Sequence, residues 1–312
     1  MAVLAMMRTA SLYTDVVDVR ANGFKQCWTA GKRGAVLASD TISATSVLIQ
    51  LRSIDMTTID YETKYAKDFV DLDLRYTGVE SFIKQMAAGK VRSLIVNGPP
   101  GVGKTYHVEK YLTQYCTNEF KSVSGHMTLL SLYAALYAYR AAGKIFVLDD
   151  ADSIYSKVEG LNILKAAMDT KSNRVVSWES SSGVLNTMGL PQNFEFDGGV
   201  ILITNVGFHN GSGKLMTHLN ALKDRSFCIP IGDAGEDSLF KQICYMVFKR
   251  DLLTNCGIPL AEQLALVDYI SENRKRLYTV SLRTVVKLAD IYKMDPINWR
   301  TMADQGLVKV AN

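Results

Sequence analysis

The sequence predicts an α/β fold in which helices flank a central parallel sheet, with a small helical lid after the sheet and a small β-containing region before it. Three observations lead to this prediction. A short apolar run at 93–96 leads into a glycine loop at 97–105 and then into a helically spaced pattern at 108–116. Helical and strand-like segments alternate along the middle of the chain. Apolar runs within 145–150 and 200–205 end in polar residues, as parallel strands do at the edge that binds ligands.

The glycine loop completes the phosphate-binding pattern G-x-x-x-x-G-K-[ST]. Glycines let backbone N–H groups close around the β- and γ-phosphates, Lys104 supplies a positive charge, and the Thr105 hydroxyl is a suitable Mg²⁺ ligand. The helix that follows adds the partial positive charge of its N-terminus. A glycine–proline turn that matches by chance is the alternative. The predicted nucleotide-binding residues are Gly98, Pro99, Pro100, Gly101, Val102, Gly103, Lys104, Thr105 and Tyr106.

The composition is that of a soluble protein with a substantial core. The 312 residues suggest about two domains. The 35 Lys+Arg against 31 Asp+Glu leave a mildly basic balance, which says little about partners. The five cysteines are scattered and form no C-x-x-C pair, so reduced thiols in a cytosol are expected and a structural zinc is not. The sequence contains neither a signal-peptide pattern nor an apolar run long enough to cross a membrane.

The run Ile145–Leu148 is followed by two carboxylates, Asp149 and Asp150. A buried strand that ends in Asp at the carboxyl edge of a parallel sheet places the acid beside the phosphate loop. Asp149 is therefore predicted to hold Mg²⁺, directly or through water, and Asp150 to orient or deprotonate the attacking water. The alternative is that these acids cap the next helix, a role that Asp152 fits better.

Periodicity and glycine punctuation predict the remaining elements. Between the second and third apolar runs lies a long excursion, 171–199, whose arms at 174–179 and 194–197 are typical of a hairpin. The other predicted elements are a helix ending near Gly89, a weak strand at 120–123, and helices over about 128–141 and 154–169.

The ordered set of motifs resembles the AAA+ ATPases over about two thirds of the chain. The matching pieces are GPPGVGKT (98–105), IFVLDD (145–150), ILITN (201–205), LKDRSFCIPI (222–231) and SLRTVVKLADI (281–291). The first two are specific, whereas the last three gain their weight from their order. The resemblance implies ATP and Mg²⁺ as cofactors and ATP hydrolysis as the activity.

The resemblance also implies roles for three further residues. Asn205 matches the polar sensor that positions the attacking water, and a strand-terminal turn is the alternative. Arg225 matches the arginine finger, which acts on the nucleotide of a neighbouring subunit, unless it is an ordinary surface arginine. Arg283 matches the lid arginine that contacts the γ-phosphate, and a solvated charge is the alternative. The implied catalytic set is Lys104, Asp149, Asp150, Asn205, Arg225 and Arg283, with Thr105 and Asp149 at the metal.

Two features depart from the usual pattern of the family. Asp150 stands where the family usually has Glu, and the shorter side chain puts rapid hydrolysis in doubt. The excursion at 171–199 is similar to the hairpin that viral replication helicases and related AAA+ proteins insert before the sensor strand. Lys171, Arg174 and Trp178 are then candidate contacts to nucleic acid. Against that, the excursion is nearly neutral, and Trp178 is equally compatible with packing.

These inferences divide the chain into three parts: an interaction or oligomerisation region at 1–70, an AAA+ core at 71–232 and a helical lid at 233–312. The expected function is that of an oligomeric ATPase that forms either a ring, such as a hexamer, or a helical filament. By resemblance to phage and plasmid proteins it acts on DNA in replication, with a replication protein as a possible partner, in the cytoplasm of a bacterial host and away from membranes. The alternatives are an ATPase that remodels or loads a protein partner and an ATP-dependent assembly switch with slow turnover.

Overall fold

The computed structural model describes residues 58–117, 119–179, 183–205 and 214–309. The predicted N-terminal β-containing region lies almost wholly outside these ranges. Two helices come first, α1 (Thr58–Lys64) and α2 (Ala66–Ala87). Only the second half of α2 was predicted, and the boundary expected at residue 70 falls inside this helix. Residues 52–312 belong to one compact unit, so α2 is part of the core rather than of a separate region.

The remaining elements alternate until the last strand and are helical after it. The first half contains β1 (Ser93–Asn97), α3 (Lys104–Tyr115), β2 (Phe120–Ser124), α4 (Leu129–Ala138), β3 (Ile145–Asp149), α5 (Asp152–Tyr155) and α6 (Val158–Ala167). The second half contains β4 (Val175–Ser177), α7 (Val184–Thr187), β5 (Asn193–Glu195), β6 (Gly199–Thr204), α8 (Lys214–Asp224) and β7 (Phe227–Pro230). Helices α9 (Glu236–Phe248), α10 (Leu252–Asn255), α11 (Leu260–Asn273), α12 (Leu282–Met294) and α13 (Trp299–Leu307) follow. The helix predicted at 154–169 is split into α5 and α6.

Five of the strands form one parallel sheet in the order β2-β3-β6-β1-β7. The three central strands are buried along almost their whole length, which explains their uninterrupted apolar sequences. Side chains alternate between the two faces, so Leu94 and Val96 join one apolar cluster and Ile95 joins the other. This arrangement aligns the carboxyl ends of β1, β3 and β6 at one edge of the sheet.

The excursion between α6 and β6 contains the predicted hairpin, because β4 and β5 pair antiparallel with Val176 opposite Phe194. Helix α7 lies between the two strands in sequence. Within the described ranges, no helix combines the length and apolar character that a membrane span requires.

Candidate active site

The phosphate loop runs from the end of β1 into α3 and depends on glycine. Gly98 has φ +157°, and a Cβ added there would lie 2.1 Å from the carbonyl oxygen of Ile231. Gly101 has φ +76°, and a Cβ there would lie 2.7 Å from the Cβ of Ser281 at the start of α12. Side chains at either position would push apart backbone segments that are already in contact. The loop therefore has the close-packed backbone that a phosphate cradle needs.

Lys104 is 6% exposed and is held by three oxygens. Its Nζ donates to the carbonyls of Gly98 and Pro99, both at 2.9 Å, and to Oδ1 of Asn205 at 2.7 Å. Burial lowers the pKa of Lys104 from its usual value, and the Arg283 charge acts in the same direction, whereas Asp150 and Asp149 oppose the shift. The ammonium group of Lys104 thus lies at the carboxyl edge of the sheet, against the phosphate loop.

Thr105 and Asp149 meet as the sequence predicts. The Thr105 hydroxyl donates to Asp149 Oδ2 at 2.8 Å, and Ser124, at the end of the neighbouring strand β2, donates to the same oxygen at 3.3 Å. The other carboxylate oxygen, Asp149 Oδ1, is buried without a hydrogen-bond partner. An unpartnered buried carboxylate oxygen beside a hydroxyl fits a hard cation. Ser124 was not predicted, because a serine that ends a weak edge strand carries no distinctive pattern.

A magnesium ion at this position would need ligands from outside the protein. Within the described ranges, no group of three or more His, Cys, Asp or Glu side chains is placed to hold a metal. Mg²⁺ commonly binds through one or two carboxylates together with phosphate oxygens and water. Asp149 and Thr105 fit that mode, in which the cation neutralises charge on the phosphates.

Asp150 and Asn205 form the second predicted pair. Asn205 Nδ2 donates to Asp150 Oδ1 at 2.8 Å, so Asn205 bridges Lys104 and Asp150. Asp150 adopts φ +48°, a left-handed conformation that is uncommon outside glycine. Its backbone N–H donates to the carbonyl of Ile203 on β6 at 3.0 Å. The backbone turn thus places the carboxylate against the Asn205 side chain.

A cavity of about 700 Å³ continues from the phosphate loop to the lid. Lys104, Thr105, Asp150 and Asn205 line its inner end, together with Arg283 from the first turn of α12. Pro100 and Tyr106 line it from the loop, and the lid contributes an apolar wall of Met246, Leu252 and Val286. The cavity has the size and mixed lining expected of a nucleotide site.

His107, in the first turn of α3, also lines this cavity. It is 3% exposed, and both of its ring nitrogens are buried without a partner. Its ring lies against Tyr76, Tyr106 and Tyr111, with centroid distances of 4.5, 5.2 and 5.8 Å. Burial lowers the pKa of His107 to about 4, with smaller contributions from Arg250 and Lys110.

Arg225 lies at the opposite edge of the sheet from the phosphate loop. Its carbonyl accepts a hydrogen bond of 2.9 Å from Ser93, the first residue of β1, whereas the loop follows Asn97, the last. About 13 Å of strand separates these positions at ~3.3 Å per residue. Its guanidinium donates to the carbonyl of Ala221 at 2.8 Å. Arg225 is therefore not part of the site formed by its own chain.

The three candidate nucleic-acid contacts have different surroundings. The assignment of Arg174 is wrong, because this side chain is 1% exposed and donates to the carbonyls of Ala167 at 2.6 Å and Gly198 at 2.9 Å. Trp178 is half-buried and packs edge-on against Tyr133. Lys171 is exposed. The hairpin thus presents one of the three side chains freely to a ligand.

The fold and the site are those of a P-loop nucleotide-binding protein. Comparison with known proteins agrees with that class. A family model for the "ATPase family associated with various cellular activities (AAA)" matches residues 94–206. An uncharacterized 36.7 kDa protein in the nrdC–mobD intergenic region of Enterobacteria phage T4 is 31% identical over 252 residues, which cover 78% of this chain and 74% of that protein. The chain belongs to the AAA family of ATPases.

The similar solved structures are more distant. RuvB from Thermotoga maritima, described as a Holliday junction branch migration motor, is 12% identical with a TM-score of 0.44, over 75% of this chain and 68% of RuvB. NtrX from Brucella abortus, in complex with ATP, is 16% identical with a TM-score of 0.43, over 82% of this chain and 60% of NtrX. At these levels the likeness carries nothing about what this chain acts on.

Proposed function

We propose that this protein is a Mg²⁺-dependent ATP hydrolase. The observation that carries the proposal is the meeting of three strand ends, at which Lys104, the Thr105–Asp149 pair and the Asp150–Asn205 pair share one sheet edge. Lys104, Thr105, Asp150 and Asn205 also line one cavity there, with Asp149 buried behind Thr105. Lys104 and the loop amides bind the phosphates, and Thr105 and Asp149 hold Mg²⁺. Family membership supports nucleotide binding and the ATPase class.

Asp150 and Asn205 are the proposed water-handling pair. A carboxylate accepts the proton of an attacking water, and a neighbouring amide restricts where that water lies. Their contact of 2.8 Å supports a joint role. Arg283 is proposed to contact the terminal phosphate from the lid side, which its position in the cavity lining and in the first turn of α12 supports.

Arg225 is proposed to complete the site of a neighbouring subunit. Its position at the far edge of the sheet supports action in trans, because it lies beyond reach of the phosphate loop in its own chain. A contact from one edge to the opposite edge of the next copy is heterologous and generates rings, such as hexamers, or helical filaments. The working form is then an oligomer.

The proposed target is DNA, in a phage or plasmid replication process within the cytoplasm of a bacterial host and with a replication protein as partner. The phage relative supports the setting, and exposed Lys171 at the base of the hairpin supplies a charge for a phosphate backbone.

A second candidate target, a polypeptide, is favoured by the hairpin itself. Residues 175–195 contain neither Lys nor Arg. The same segment exposes Val184 at 45% and Met188 at 50%, four residues apart. Apolar contacts suit a protein partner better than a phosphate backbone.

The test is the rate of phosphate release by wild type, Lys104→Ala and Asp150→Asn, with and without single- and double-stranded DNA. Asp150→Asn removes the proton acceptor and is expected to lower kcat by about 10²–10⁴-fold. Lys104→Ala is expected to lose nucleotide binding, whereas Lys67→Ala, an exposed lysine of α2, should retain the wild-type rate.

The outcomes of that assay separate the candidate functions. Stimulation by DNA that is lost in Lys171→Ala supports the DNA target. Stimulation by a protein partner alone supports the remodelling ATPase, and ATP-dependent assembly with negligible turnover supports an assembly switch limited by Asp150. Wild-type protein that binds neither ATP nor ADP would overturn every version.

A further inference from the structure

One carbonyl of the phosphate loop is held from outside the loop by a buried tyrosine. The hydroxyl of Tyr76, on α2, donates to the carbonyl of Val102 at 2.8 Å. Tyr76 is fully buried, and its ring lies between those of His107 and Tyr245, at centroid distances of 4.5 and 5.7 Å. The ring is therefore held in place by packing, which fixes the position of the hydroxyl oxygen.

This bond sets the direction of a phosphate-binding amide. In a trans peptide the carbonyl of one residue and the N–H of the next point in opposite directions, and no described peptide is cis. When Tyr76 holds the Val102 carbonyl, the N–H of Gly103 therefore points away from the Tyr76 hydroxyl. Gly103 has φ +82°. Because glycine can adopt many backbone conformations, a hydrogen bond that fixes the preceding carbonyl has a large effect on the direction of this amide.

The lid determines which way the hydroxyl proton of Tyr76 points. Gln242, on α9, is 1% exposed and donates from Nε2 to the Tyr76 oxygen at 2.5 Å. An oxygen that accepts from Gln242 directs its own proton to its other neighbour, the Val102 carbonyl. Burial raises the pKa of Tyr76, so the hydroxyl stays protonated and remains a donor.

We propose that Tyr76 is a positioning residue that orients the Gly103 amide toward the phosphates, and that Gln242 makes this orientation depend on the first lid helix. The inference rests on the proposed function, because it assigns a means of nucleotide binding to the same site. It adds a contact between residues 166 positions apart in the chain, through which the lid acts on the phosphate loop.

The experiment compares Tyr76→Phe with Tyr133→Phe. Tyr133 is a matched control, because its hydroxyl also donates to a backbone carbonyl, that of Pro191, at 2.8 Å. Each variant keeps the ring and leaves one carbonyl without its donor. Tyr76→Phe also leaves Gln242 Nε2 without its acceptor, so its loss in Tm is expected to be the larger of the two. Tyr76→Phe alone should weaken ADP binding, measured by calorimetry, about 5–10-fold, and should raise KM for ATP with kcat unchanged, because the amide binds substrate and transition state alike.

Gln242→Leu provides a second route that leaves Tyr76 in place. It should weaken ADP binding less than Tyr76→Phe does, and the double variant should bind no more weakly than Tyr76→Phe alone, because both changes act through one hydroxyl. Equal ADP affinity in Tyr76→Phe and Tyr133→Phe, or additive losses in the double variant, would overturn the inference while leaving the proposed function intact. Wild-type protein without ADP binding would overturn both.

Discussion

The buried side chain of His107 lowers the stability of the fold, and this cost can be traced to its two ring nitrogens. Both ring nitrogens are buried without a partner, one turn after the phosphate-binding lysine. A buried polar group that makes no hydrogen bond destabilises the fold by about 1–3 kcal/mol. The neutral ring is nevertheless tolerated because it packs among tyrosines, and protonation would add the much larger cost of a buried charge.

Stability is therefore expected to fall on acidification through His107. Its pKa is about 4 in the folded protein and about 6.5 when unfolded. Between these values the unfolded chain binds a proton that the folded chain does not, so stability is lost as the pH falls through this window. We expect His107 to account for a loss of about 2 kcal/mol between pH 7.5 and 5. Urea unfolding at both pH values should show a smaller loss in His107→Phe, whereas His126→Gln, at an exposed histidine, should behave like wild type.

At the scale of elements, Arg174 connects the hairpin to α6 and to the start of β6. It stands one residue before β4 and donates to the carbonyl that closes α6 and to the one that precedes β6. Burial lowers its pKa to about 10, which leaves it charged at neutral pH. The guanidinium also lies over the ring of Phe196, at 5.1 Å from the centroid. The hairpin base is thus anchored to the segment that leads to Asn205.

Replacement of Arg174 is expected to destabilise the protein rather than change ligand binding directly. Arg174→Met leaves two carbonyls without donors and should lower the free energy of unfolding by about 2–4 kcal/mol. Lys171→Met, at an exposed position three residues earlier, should change it by no more than about 0.5 kcal/mol. Urea denaturation of both variants measures the difference. Equal stability would show that the buried contacts of Arg174 contribute little.

The sequence was informative where the chemistry is local and failed where it is not. Asp149 ends β3 and Asn205 follows β6, and such strand ends share one edge of a parallel sheet. The loop that follows β1 brings Lys104 and Thr105, at the start of α3, to the same edge. The burial of Arg174 depends on carbonyls 7 and 24 residues away, which no local pattern reveals. The contacts of His107 and the Tyr76–Gln242 bond arise from packing between distant helices, and for the same reason they were missed.

At the scale of the whole molecule, the two halves of the proposed catalytic site lie at opposite edges of the sheet. Arg225 is on the side where β1 begins, and the phosphate loop is on the side where it ends. A single chain therefore does not assemble the complete set of predicted catalytic residues.

Mixing two inactive variants tests this arrangement. Arg225→Ala keeps its own phosphate loop, and Lys104→Ala keeps its own arginine. An equal mixture should therefore regain about a quarter of wild-type ATPase activity, from interfaces that pair the two intact halves. A mixture of Arg225→Ala with the Lys104→Ala/Arg225→Ala double variant contains no subunit with Arg225 and should stay inactive. Full activity in Arg225→Ala alone would contradict action in trans.

The contact between Gly101 and the lid limits which residues can replace Gly101. The N–H of Leu282 donates to the Gly101 carbonyl at 2.9 Å, and the space for a side chain at Gly101 is already filled by Ser281. A methyl group at this position would clash with Ser281 and push the start of α12 away from the phosphate loop. Gly101→Ala thus offers a way to hold α12 apart from the phosphate loop while leaving Lys104 and both aspartates unchanged, and so to separate phosphate binding from the contact between lid and loop.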